Sequence, residues 1–224
     1  MASTAPSTVT APKQEAAEHA PLLVRLEKYR KPISYGLGAL AVVVLGLWLF
    51  AETGRRKTTA AADALDAARG SLEAGNLPAA STEFQRVIQA YRGTDAAFQA
   101  ELGLNAVRLQ SGQTQLAVDE LRKFAESHPP ALYESGAWLM MGGALENLSK
   151  YAEAAAAYLK AGDTASEDYR KVEALLGAAR AYQLAGKGKE SEDVLRRIAS
   201  KFPEDTPGVA EAKVRLAELT RGAM

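Results

Sequence analysis

Four sets of positions recur along the chain at a constant step of 37 residues. Gly75, Gly112, Ser149 and Gly186 share one register, and Leu65, Leu102, Leu139 and Leu176 share another. Ala80, Ala117, Ala154 and Ser191 form a third column, and Phe84, Leu121, Tyr158 and Leu195 a fourth. The richness of the chain in alanine explains neither the all-leucine column nor the large apolar one. A period of this length marks stacked two-helix units, which bury their apolar faces only against neighbours. Each repeat reads as a helix, a small residue able to end it, and a second helix. The small column lets the paired helices approach closely. The Phe84 column, four residues further on, shares its helix face and fills the space beside it. Pro129 and Pro203 follow the second helices of the second and fourth repeats, where chain direction must change. Val209 to Leu219 has the apolar spacing of a capping helix. The expected fold is all-α, with a solenoid of about four helix pairs and a C-terminal capping helix over residues 60–221.

A second feature lies ahead of the repeats. From Ile33 to Ala51 the chain runs 19 residues without a charge. At about 1.5 Å per residue, a helix of that length comes close to the roughly 30 Å of bilayer hydrocarbon. A cleaved secretory signal has a shorter apolar region and small residues at its cleavage site, whereas Leu49 and Glu52 stand here. The run is apolar all round, unlike an amphipathic core helix, and Tyr35 and Trp48 sit where aromatic belts lie. It is therefore expected to be a single, retained transmembrane helix. The expected division is a disordered tail over 1–21, a juxtamembrane segment over 22–32, the membrane helix over 33–51, a linker over 52–59, and the repeats. Arg25, Lys28, Arg30 and Lys31 face Arg55, Arg56 and Lys57 across the run, which leans towards a cytoplasmic amino terminus. Ser34, Gly38, Val42 and Gly46 fall at steps of four and share one face. Small residues there suit the close approach of another membrane helix, although glycine is also simply common in such helices.

Charge and composition exclude several classes. The chain carries 27 basic and 27 acidic residues, so it has no electrostatic footprint for nucleic acid. It has no cysteine, hence no disulfide, thiolate ligand or cysteine nucleophile. Its two histidines are His19, in the tail, and His128, before Pro129 and Pro130 at a helix end. No phosphate-binding loop, paired-histidine motif or nucleophile elbow is present, and "AGKGKES" from Ala185 lacks the phosphate-loop spacing. Neither catalysis nor a cofactor or metal is expected.

The repeats resemble the tetratricopeptide repeat. The spacing resembles that family's turn glycine, small residue five later and aromatic four after that. Trp138, Met141, Gly142 and Leu145 occupy positions resembling the W-x2-L-G-x2-Y pattern of that family, and Ala179, Tyr182 and Gly186 match in the fourth repeat. The first repeat departs most, with Ala64 where Trp is expected. The period exceeds the usual 34 of the family, which predicts longer loops between repeats. The order of parts, a polar tail, one apolar span, a brief basic stretch and repeats to the end, is similar to the YfgM-like proteins. That resemblance implies a bacterial inner-membrane protein with its amino terminus in the cytoplasm and its repeats in the periplasm. It also implies an ancillary role at the SecYEG translocon, with exported polypeptides or periplasmic chaperones as partners. The alternative is a scaffold or assembly subunit of another membrane complex, an arrangement open to repeats that face the cytoplasm.

Tetratricopeptide stacks present a concave surface lined by their first helices, and some members hold a peptide carboxylate there with Lys and Asn. The matching positions here are the Leu65 column and then Arg69, Ala106, Gly143 and Arg180, so that clamp is absent. What remains is apolar. Arg69, Leu72, Leu102, Leu109, Met140, Leu176 and Arg180 are the expected groove residues, with Arg69 and Arg180 as isolated charges. The alternative is that the leucine column is core between helices.

Overall fold

The structure, a computed structural model, describes residues 30–221, and the side chains of 40–50 and 52–220. Among the described residues all regular structure is helical: α1 (Arg30–Glu73), α2 (Leu77–Ala90), α3 (Asp95–Gln110), α4 (Thr114–Glu126), α5 (Ala131–Asn147), α6 (Tyr151–Thr164), α7 (Asp168–Leu184), α8 (Gly188–Lys201) and α9 (Val209–Arg221). The chain divides into two compact units, residues 1–55 and 56–224.

In the first unit the expected tail and most of the juxtamembrane segment lie outside the described residues, as do the side chains of 33–39. The side chains from Leu40 to Phe50 are exposed, the large apolar ones by 50–79 %. Among the described residues no helix is long and apolar enough to cross a membrane. The segment 52–59, expected to be a linker, is helical and belongs to α1.

The second unit is a stack of helix pairs. The last turns of α1 pack on α2, α3 pairs with α4, α5 with α6 and α7 with α8, and α9 closes the stack. The turn inside each pair is built four times in the same way. Gly75, Gly112 and Gly186 take φ of 73°, 75° and 72°, and Ser149 takes 57° in the same place. That left-handed residue lets the next N–H reach back five residues: Asn76 to the Ser71 carbonyl, Gln113 to Arg108, Lys150 to Leu145, Lys187 to Tyr182, at 2.8–2.9 Å. This closing bond satisfies a carbonyl that the helix end would otherwise leave open. The glycine column is thus a helix stop, read directly from the sequence.

The other columns are core. Ala80, Ala117, Ala154 and Ser191 are fully buried, as are Phe84, Leu121 and Leu195, with Tyr158 nearly so. The Phe84 ring lies on Gly103 of α3, and the Tyr158 ring is held between Gly142 of α5 and Gly177 of α7. A Cβ at Gly103 or Gly142 would stand 2.6 Å from the ring it faces. The two aromatic members of this column, Phe84 of α2 and Tyr158 of α6, thus each need glycine on a first helix they meet. The extra length of the repeat is not in the loops. The connections between repeats are 4, 4 and 3 residues, while α3, α5 and α7 run to 16, 17 and 17 residues against 13 or 14 for α4, α6 and α8. The expectation of longer loops is corrected: long first helices add stacking surface, where long loops would only add exposed backbone.

Candidate binding groove

Five residues of α7 form one stripe: Tyr169, Glu173, Leu176, Gly177 and Arg180. Their steps of three and four place them on a single helix face. Leu139 of α5 and Tyr158 of α6 continue this surface on one side. On the other side stand Pro207 and Gly208, at the approach to α9, then Glu211 and Arg215 of α9 itself. Together they enclose an open groove of about 510 Å³. Gly208, at φ 90°, lets the turn before α9 settle onto α7, since a Cβ there would meet Val172 and Leu176 at 2.8 and 2.9 Å.

Most of the charges in the groove are internally paired. Arg180 donates from Nε to Glu146 Oε1 at 3.2 Å and from Nη2 to Glu146 Oε2 at 2.9 Å. This two-pronged pair orients the guanidinium more firmly than a single contact could. Arg180 Nη2 also lies 3.4 Å from the Tyr158 hydroxyl. Burial, and then the Glu146 charge, raise the Tyr158 phenol above its ordinary range. The Glu146 hydrogen bond raises Arg180 in turn, so the guanidinium keeps its charge. Arg215 pairs with Glu211 at 2.7 Å. The described lining is made of leucine, tyrosine, glycine, proline, glutamate and arginine.

The expected groove residues separate. Leu176 and Arg180 line the groove, and Leu139 of the leucine column joins them. Arg180 is not an isolated charge, because Glu146 holds it. Arg69 is not isolated either: it contacts Asp66 at 3.3 Å and donates to Gln99 of α3. Leu65 is buried and Leu72 packs against the same small core of α1, α2 and α3. Leu102 sits against Gly136 of α5, and Leu102, Leu109 and Met140 pack on the larger core. The leucine column is therefore partly core and partly groove. On the expected membrane-helix face, the side chains of Ser34 and Gly38 lie outside the described residues. Val42 is exposed, and a Cβ at Gly46 would meet nothing. His128 is exposed at the α4–α5 connection, 3.6 Å from Glu134.

The sequence reading missed Tyr158, Tyr169, Glu173, Glu211 and Arg215 as groove residues, and Glu146 as the partner of Arg180. One signal was available. Glu146 and Arg180 are 34 residues apart, as are Asp163 and Arg197, which also pair, at 3.0 Å. Opposite charges separated by one repeat less about one helical turn mark contacts between successive repeats.

Residues 26–165 match the family described as Tetratricopeptide repeat-like domain, and residues 173–205 match Tetratricopeptide repeat. No curated protein matches the chain. Among solved structures, the nearly identical TPR-like repeats described for a Podosopora anserina kinesin light chain align with a TM-score of 0.55 at 15% identity, over 72% of this chain and 85% of that one. The MamA RS-1 ArsTM double mutant aligns with a TM-score of 0.50 at 15% identity, over 73% and 96%. Both likenesses are of fold. Tetratricopeptide repeats serve as interaction modules, so the matched repeats imply protein partners in general. With its family match spanning more than half its length, the chain belongs to the tetratricopeptide repeat-like domain family.

Proposed function

We propose that this chain is a membrane-anchored adaptor, in which an apolar helix holds a protein-binding repeat stack at the bacterial inner membrane. The observation that carries the reading is the exposed apolar run from Leu40 to Phe50. Consecutive residues of that run cover every side of a helix, and a protein rarely leaves such a surface in water. The preceding sequence, Ile33 to Ala39, is also uncharged and would extend the run to a bilayer's thickness. In this reading the amino terminus is cytoplasmic and the repeats are periplasmic. The protein works as an accessory of the SecYEG translocon, passing exported chains to periplasmic chaperones. The similarity in order of parts to the YfgM-like proteins supports that assignment.

Protease added to spheroplasts is expected to degrade residues 58–224 without lysis. Copurification in mild detergent, followed by crosslinking, is expected to recover translocon subunits. Digestion only after lysis would place the repeats in the cytoplasm. It would favour the second reading, a scaffold subunit of another membrane complex.

A further inference from the structure

The α7–α9 groove discriminates between charges, and this inference rests on the chain being a protein-binding module. Its floor is apolar and aromatic, made by Leu139, Tyr158, Tyr169 and Leu176. Its two cations are already engaged, Arg180 by both carboxylate oxygens of Glu146 and Arg215 by Glu211. Among the described residues Glu173 has no cationic partner. It is exposed, it lines the groove, and it stands one turn from both Tyr169 and Leu176 on the α7 stripe. The nearby cation Arg170 does not line the groove; it pairs with Glu167 at 3.6 Å and donates to the Tyr169 hydroxyl at 3.0 Å. A bound peptide therefore meets one uncompensated negative charge at the edge of an apolar floor, where the Tyr169 and Tyr158 rings already face Arg170 and Arg180.

We infer that the groove takes an extended peptide segment in which a large apolar side chain is closely followed by lysine or arginine. The apolar side chain seats on Leu139 and Leu176, and the cation reaches Glu173. An acidic residue at that place would meet Glu173 and find both arginines occupied. Charge complementarity thus selects the occupant, and the apolar floor supplies the contact area.

The test uses the full chain in mild detergent and fluorescence anisotropy with a labelled Ser-Leu-Phe-Lys-Lys-Ser peptide. A Glu-for-Lys counterpart is measured alongside. At low salt the lysine peptide is expected to bind about fivefold more tightly, the scale of one partly exposed ion pair. Glu173→Lys, a surface change that leaves the helical circular dichroism intact, is expected to reverse that order. Equal affinities, an unchanged order in Glu173→Lys, or no binding by either peptide would overturn the inference. The adaptor reading fails separately. Crosslinking that recovers no translocon partner, with the peptide preference intact, removes the assignment and leaves the groove chemistry standing.

Discussion

Ser149 occupies the helix-stop position that glycine fills in the other three repeats, at φ 57°. A side chain in that conformation costs about 1–2 kcal/mol, part of which glycine's greater freedom in the unfolded chain offsets. Ser149→Gly is accordingly expected to raise unfolding stability by about 0.5–1 kcal/mol, read as a shift in urea midpoint at constant slope. Gly112→Ser should lower it by a similar amount. Glu101, half-buried on α3, carries a second residue-scale consequence. Burial is the largest influence on its carboxyl and raises its pKa, with Arg108 opposing and Glu120 adding. The folded state then holds a proton that the unfolded chain has already released. Stability from this group is therefore present below the ordinary carboxylate pKa and is lost as pH rises through the raised value. Glu101→Gln should remove that part of the decline, flattening stability against pH from about 4.5 upward and leaving the variant the more stable at neutral pH. An unchanged pH profile would refute the sign of the shift.

Between elements, the decisive contact is one ring against two glycines. Tyr158 of α6 reaches across to α5 and α7, and only at Gly142 and Gly177 can those helices come so near. Gly142→Ala is expected to cost about 1–3 kcal/mol by overpacking, although alanine is the better helix former. The neighbouring Gly143→Ala meets only the Tyr158 hydroxyl at 3.7 Å, an ordinary contact. It should be neutral or stabilising by up to about 1 kcal/mol. Thermal unfolding of the two variants separates a packing requirement from a general glycine effect. Equal behaviour would show that the ring can move aside. The large apolar column was visible in the sequence. Gly142 stood out there too, within the family pattern, but the contact of each ring with a glycine did not, because the two lie on different helices brought together by the stack.

At the scale of the whole repeat unit, the core is divided. Among the described residues, one cluster of 10 buried residues joins the end of α1 to α2 and α3, and another of 24 runs from α4 to α9. A stack whose repeats touch only neighbours draws its stability from each local interface. Native-state hydrogen exchange should therefore show lower opening free energies for helical amides over 61–107 than over 118–198. Uniform protection across both would mean that the stack opens as one unit. The Glu146–Arg180 and Asp163–Arg197 pairs link successive repeats within the larger cluster.

The step of 37, the glycine stops and the buried columns were legible because each depends on local chemistry repeated in register. A turn needing a left-handed residue selects glycine, and a close helix pair selects alanine, wherever the chain continues. The apolar run ahead of the repeats was equally plain as composition. The groove was not legible in the same way. Leu102 and Leu176 occupy equivalent positions, yet one sits against Gly136 of the next repeat and the other faces the open space before α9. Arg180 looked isolated because its partner Glu146 lies on another helix, brought near only by stacking. Sequence fixes what each residue needs from its immediate turn of helix. Which face is covered, which charge is neutralised and which is left to a partner follow from the neighbouring repeat, so only the tertiary structure decides them.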